Sequence, residues 1–411
     1  MSKYGDYLGE LRRNWQILLA VSLGMSVGLQ LFSYITSLFG PYLLKEFHWS
    51  RDQFALIGLA MFSTLLAMPF AGRLTDRFGV RRMALIGVIL TPLPLLSYSL
   101  LQGPFWVFMC TSVAQLAIGS LTGPVTYTRL IAARFERARG LALTIVMCAP
   151  ALMGAVGAKV VTVIIETWGW RMGYRSLAGF VLVVGLIAVA LIPRGAGDAH
   201  ATQTASGGRN SIRQVAREIG REKVFWVIFV AMVLCTLPTP LHGSQLNIML
   251  REQHLDANAS ATMISIYALG TIVGRVVSGL ALDRFPARLV AAISMVLPSF
   301  GLMLIASSLD TPSAVGFGLF LVGVTIGAEG DLLSYLVARY FRLDIFSTTL
   351  SLAYCAVFIG SASGALILSG LLKRFDSFTP FLMVCSATVF VGSLLFLLLP
   401  RQAAHPRESA S

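Results

Sequence analysis

Charge is what this chain lacks. Only 12% of its 411 residues are Asp, Glu, Lys or Arg, where a soluble domain carries about 25%. Acid is the scarcer sign, 19 Asp and Glu against 32 Lys and Arg. A 56% apolar composition and a mean hydropathy of +0.76 take up the difference. A soluble globular protein is thereby excluded. Cysteine is also sparse: Cys110, Cys148, Cys235, Cys355 and Cys385 stand singly inside apolar stretches. That spacing makes neither a disulfide framework nor a ligand cluster, so these read as small core residues and no metal is expected. The chain has no Gly-x-x-x-x-Gly-Lys-Ser/Thr loop, no His-Glu-x-x-His and no Gly-x-Ser-x-Gly. Neither nucleotide drive nor hydrolytic chemistry has a visible basis, so no enzyme and no cofactor is expected, and energy must come from gradients.

What the chain has instead is long apolar stretches. A helix crosses the hydrocarbon core with ~20 such residues. Six stretches of that length cover Trp15 to Tyr42, Gln53 to Gly72, Met83 to Leu101, Phe105 to Ala133, Leu141 to Ile165 and Tyr174 to Ile192. Six more cover Val224 to Leu250, Ala261 to Leu282, Leu289 to Ser308, Ala314 to Tyr340, Ser347 to Leu372 and Phe378 to Leu399. The run after Lys3, Arg12 and Arg13 is too long for a signal-peptide core and reads as the first span. An even count puts both termini on one side.

The net charge of +13 would suggest nucleic acid in a soluble chain. Here the basic residues gather in short connections between spans, so no nucleic-acid partner is expected. The leading tail and every second connection hold Arg73, Arg77, Arg81 and Arg82, then Arg134, Arg137 and Arg139, then the stretch from Arg194 to Lys223. The alternate connections hold mainly Lys45, Arg51, Arg171, Arg175, Arg251, Lys373 and Arg374. Cations are retained on the inner side, so both termini are expected in the cytoplasm of a multi-pass inner-membrane protein.

Residues 194–222 interrupt the pattern with GAGDAHATQTASGGRN, which is small, polar and aperiodic. This reads as a cytoplasmic linker between a domain at 1–193 and a domain at 223–411. The following SIRQVAREIG fits either a short basic helix on the membrane surface or a solvated charged segment. The two halves repeat. Gly72, Asp76, Arg77 and Phe78 return 207 positions later as Gly279, Asp283, Arg284 and Phe285. Ala133, Arg134 and Phe135 return 205 positions later as Ala338, Arg339 and Tyr340. The expected fold is an all-α membrane protein of twelve transmembrane helices in two pseudo-symmetric six-helix bundles, the usual architecture of secondary transporters.

Within the spans, Arg275 is the anomaly. An arginine in an apolar helix costs a few kcal/mol on insertion scales, so it is read as facing a cavity or a partner. Its planar fork fits two carboxylate oxygens, which makes it a candidate anion anchor; a structural ion pair with the tenth span is the alternative. Glu329 and Asp331 are the acids well inside a span, and at ~100° per residue they point in nearly opposite directions. Glu329 is the candidate to pair with Arg275 and carry a proton, while Asp331 is expected to lock to Arg284 or Arg339. Lys159 offers either a second positive contact or a snorkelling side chain. Arg129 reads as gating or structural. His242 lies among Pro238, Pro240 and Gly243, which must interrupt the seventh span. Tyr34, Tyr127, Tyr267, Tyr335 and Tyr354 place hydroxyls inside spans, and Tyr34, Tyr267 and Tyr354 join Arg275, Lys159 and His242 as candidate substrate contacts.

The segment GRLTDRFGVRR, from Gly72 to Arg82, resembles the loop signature between spans two and three of the major facilitator superfamily. Arg275 ahead of the second loop motif, and the tenth-span stretch GAEGDLLSYLVARYF, resemble the bacterial monocarboxylate and oxalate transporter branch. The chain departs from that branch at Thr271, where an aspartate is usual, and in an uncharged first span. The resemblance implies uptake of a small organic anion, most simply a monocarboxylate, by proton symport and alternating access in a monomer. It also assigns Gly72, Asp76, Arg77, Gly79, Arg81 and Arg82, with Asp283 and Arg284, to the inner gate. Two alternatives stand beside it. Proton-driven efflux of amphiphiles would want membrane acids in the first half, and a non-transporting sensor on the same fold would bind without flux.

Overall fold

The computed structural model describes residues 9–135, 138–193, 217–252, 255–307, 311–342 and 345–400, apart from the side chains of Asp76, Val125, Ala132, Asp283, Phe346 and Ser347. The linker as far as residue 216 lies outside the described residues. Those described form helices joined by short turns, with no strand among them.

Among the described residues, twelve helices are long and apolar enough to cross a membrane. They are Trp15–Phe47, Arg51–Thr75, Val80–Ser99, Phe105–Ile131, Arg139–Trp168, Trp170–Leu191, Lys223–Glu252, Ala257–Leu282, Ala287–Ala306, Pro312–Tyr340, Thr348–Phe375 and Thr379–Leu398. All twelve expected spans are present, with ends displaced by a few residues. Helix is the form that satisfies every backbone donor and acceptor inside its own segment, which is what a lipid surround demands. Turn chemistry sets the ends. Gly79 stops the second span with φ +81°, where a side chain would be strained, and begins the third. Ser50 and Thr311 accept from the amides of Gln53 and Ala314 at 3.4 Å, capping the second and tenth spans.

The seventh span is broken as its prolines require. It runs as α-helix from Lys223 to Thr236, passes through a π-helical turn at Leu241–Gln245 and resumes at Leu246. The packing changes there too. One compact unit comprises Met1–Ala205 with Leu241–Ala268, and the other Ser206–Pro240 with Leu269–Ser411. Besides a division within the linker expected at 194–222, the seventh and eighth spans each contribute to both units, because the stretch from Leu241 to Ala268 is tied to the first. Arg51 donates to Glu252 at 2.9 Å, Arg251 to the Tyr42 hydroxyl at 3.0 Å, and Ser265 to the Ala155 carbonyl at 2.7 Å.

The first unit has a core around Ile17, Val21, Met25, Val88, Tyr127 and Leu130. The core of the second surrounds Ile228, Met232, Met295, Leu332, Leu333 and Leu336. Outside these, large apolar side chains such as Leu66, Phe70, Leu152, Val156, Ile293 and Met303 are exposed, the inverse of a soluble surface and the face expected toward lipid.

Candidate functional site

In the second unit the site starts from a glycine. At Gly327 of the tenth span a Cβ would stand 2.8 Å from the amide nitrogen of Arg275 and also meet the Thr271 carbonyl. Only glycine lets the eighth and tenth spans come this close. The approach lays the Arg275 side chain along the tenth span, where Nε donates to the Gly327 carbonyl at 3.3 Å. The same Nε is 3.6 Å from Oδ2 of Asp331. Arg275 is 12% exposed and Asp331 46%, so the cation is the deeper partner. Its Nη1 is buried and has no hydrogen-bond partner among the described residues.

This is an ion pair with the tenth span, the alternative given for Arg275, but with a different acid from the one expected. Arg275 meets Asp331, while Glu329 is not its ion-pair partner, and Asp331 meets neither Arg284 nor Arg339, both of which are exposed. The reason is register. Asp331 is four residues beyond Gly327 and so shares the face that packs on the eighth span, whereas Glu329 is ~200° round the helix from Gly327. Glu329 is half-buried on another side, within electrostatic range of Cys235 and of Tyr354. Tyr354 completes the group. Its hydroxyl is 3.6 Å from where a Cβ on Gly330 would stand, and it lies within electrostatic range of Glu329, Asp331 and Arg275. Four of the residues singled out from the sequence thus gather in one place.

In the first unit, Tyr34, Tyr267 and His242 form a buried aromatic cluster. The Tyr267 hydroxyl and His242 Nδ1 are 3.1 Å apart, with the rings stacked at 5.5 Å and 28°. Tyr34 lies against Tyr267 at 5.7 Å between centroids. Sequence reasoning missed Gln245, on the π-helical turn. It is fully buried, its Nε2 reaches only Ser244 Oγ at 3.4 Å, and its Oε1 has no partner among the described residues. An amide in a broken apolar span was the signal that could have found it. A separate surface cleft of about 370 Å³ is bounded by Pro41, Lys45, Trp49, Arg51, Arg251 and Glu252.

Lys159 does not join either group. It is exposed on a stripe of the fifth span shared with Val156, Val160 and Val163, where its stem lies in apolar surroundings and its ammonium can snorkel. Arg129 is half-buried in the fourth span. At the turn between the second and third spans, the Arg77 guanidinium lies over the Phe78 ring at 5.4 Å, and Arg82 is exposed beside the half-buried Arg81. The side chains of Asp76 and Asp283 lie outside the described residues. No group of three or more His, Cys, Asp or Glu able to hold a metal occurs among the described residues.

Comparison with known proteins accords with this architecture. The family model described as Major Facilitator Superfamily matches residues 17–241 and 241–411. A gentisate transporter of Corynebacterium glutamicum is 27% identical over 387 residues, 88% of this chain and 83% of that protein. The 4-hydroxybenzoate transporter PcaK of Acinetobacter baylyi is 26% identical over 174 residues, 42% of this chain and 38% of that protein. The multidrug resistance protein MdtL of Klebsiella pneumoniae is 22% identical over 84% of this chain and 86% of its own. Among solved structures, that of a D-xylose–proton symporter superposes with a TM-score of 0.70 at 14% identity, covering 93% of this chain and 97% of its own.

Proposed function

The chain belongs to the Major Facilitator Superfamily, and from that premise we propose that this multi-pass membrane transporter takes up a small organic anion, a monocarboxylate, by alternating access. The observation that carries the reading is Arg275. A guanidinium that is 12% exposed inside a span, held at Nε and with Nη1 buried and unpartnered among the described residues, offers two parallel donors to an incoming carboxylate. Its charge persists at every working pH.

Two relatives named for aromatic acids support a ring-bearing monocarboxylate within that class. Tyr354 in the second unit, and Tyr34, Tyr267 and His242 in the first, are the proposed aromatic and hydroxyl contacts. Proton symport is the proposed coupling, with Glu329 as the proton carrier. The arginine-rich connections support a cytoplasmic placement of both termini, and the turn from Gly72 to Arg82, with Asp283 and Arg284, is the proposed inner gate. A second reading, efflux of amphiphilic drugs, is favoured by the likeness to MdtL.

Binding to the purified protein separates the two. Benzoate, 4-hydroxybenzoate and gentisate are expected to raise its melting temperature, since a ligand specific for the native state stabilises it by mass action. Arg275→Gln should weaken that binding by about 10- to 100-fold, the worth of a hydrogen bond to a charged group. Stabilisation by lipophilic amines alone, or unchanged carboxylate affinity in the folded variant, would replace this reading with efflux or another anchor.

A further inference from the structure

The Arg275 site already contains a carboxylate, and its geometry is that of a weak occupant. Asp331 reaches the guanidinium from one side, at Nε, and at 3.6 Å the contact is beyond good hydrogen-bonding distance. Nε is in addition shared with the Gly327 carbonyl at 3.3 Å. Nη1, which a two-pronged carboxylate would engage, is left buried and unpartnered among the described residues. Burying an unpaired donor of a charged group is unfavourable. An arginine in a span also needs some neutralising charge, or the span would be costly to insert. The arrangement therefore meets the need for charge without meeting the need for hydrogen bonds.

The two partners differ in freedom as well. Arg275 is 12% exposed and fixed by the close approach of the spans at Gly327, whereas Asp331 is 46% exposed. Asp331 is thus the more accessible of the two partners and the guanidinium the deeper. Next to Asp331 in the chain, residue 330 is glycine, and the Tyr354 hydroxyl stands 3.6 Å from its would-be Cβ. Glu329 cannot take the part of Asp331 from its own position on the helix.

We propose that Asp331 is a resident substrate mimic, a counter-ion that occupies Arg275 when the site is empty and is displaced when a substrate carboxylate binds. This rests on the reading of Arg275 as the anchor. Asp331 is then a positioning residue in both senses. It keeps the arginine neutralised and correctly aimed between cycles, and by competing for it sets how tightly the anion is held and how readily it leaves.

The competition makes opposite predictions for two conservative changes. Asp331→Asn removes the competing charge and should tighten binding of a carboxylate about two- to five-fold, the range a partly exposed ion pair commands. It should lower KM and kcat together in proteoliposome uptake, because release slows. Asp331→Glu is one methylene longer and can bring its oxygens into hydrogen-bond range of the guanidinium, so it should weaken binding by a similar factor. A merely structural ion pair would weaken binding in both. The probes are benzoate, 4-hydroxybenzoate and gentisate, titrated calorimetrically into full-length protein in lipid nanodiscs, with Arg275→Gln alongside. Opposite shifts in the two Asp331 variants support the proposal. Loss of binding in Arg275→Gln with unchanged or weakened binding in Asp331→Asn overturns it and leaves the anchor standing. Binding that survives in Arg275→Gln, or no binding of any probe by the parent protein, removes the anchor and this proposal together. Should Asp331→Asn fail to fold, Asp331→Ser, which also removes the competing charge, takes its place, and unchanged or weakened carboxylate binding there overturns the idea.

Discussion

Two acids separated by a single residue have different surroundings because a helix turns ~100° per residue. Asp331 faces Arg275, and Glu329 sits half-buried near Tyr354 and Cys235 without an ion-pair partner among the described residues. A carboxyl group so placed is expensive as a lasting anion, which suits a group that gains and loses a proton during each cycle. Glu329→Gln is therefore expected to flatten the rise of uptake with falling external pH, while leaving carboxylate affinity close to that of the parent because Glu329 is off the Arg275 face. Uptake rates between pH 5.5 and 8 in proteoliposomes check this, and an unaltered profile would remove Glu329 from the coupling.

Between elements, the eighth and tenth spans depend on bare backbone. A Cβ at Gly327 would be 2.8 Å from the Arg275 amide, whereas a Cβ at Gly330 would meet nothing nearer than the Tyr354 hydroxyl at 3.6 Å, an ordinary contact. Gly327→Ala should push the spans apart, with an overpacking penalty of about 1–3 kcal/mol, and shift the Arg275 guanidinium with them. Gly330→Ala should be tolerated. Melting temperature and 4-hydroxybenzoate affinity of the two variants are the measurements; equal behaviour would mean that the close approach does not position the site.

For the whole molecule, sidedness follows from where arginine is concentrated. The connection carrying Arg77, Arg81 and Arg82 should face the cytoplasm, and the one carrying Arg171 should face outward. In a variant lacking the five native cysteines, a single cysteine replacing Arg171 should react with an impermeant maleimide in intact cells. One replacing Arg77 should react only after permeabilisation. The reverse pattern would invert the proposed topology.

Apolar length and the period of lysine and arginine decided the span count, because a hydrocarbon solvent leaves helix as the workable form for an isolated segment. The Gly72 to Arg82 signature and its echo at Gly279 to Phe285 were enough to carry the family resemblance. The residues of the second-unit site were legible too, since Arg275, Glu329 and Asp331 are conspicuous as charges in apolar surroundings. Which acid meets the arginine was not legible. That depends on the rotation of the tenth span, set by Gly327 packing against Thr271 and Arg275, and no property of Glu329 or Asp331 taken alone reports it. Lys159 shows the same limit: its chemistry suits an anion site, yet the helix rotation that buries Gly154 and Ala158 leaves it on the exposed stripe. Gln245 and the division of the seventh and eighth spans between the two units likewise depend on contacts distant in sequence, such as Arg51 with Glu252 and Ser265 with Ala155. Local chemistry and periodicity are written along the chain, whereas partners are chosen by packing between spans.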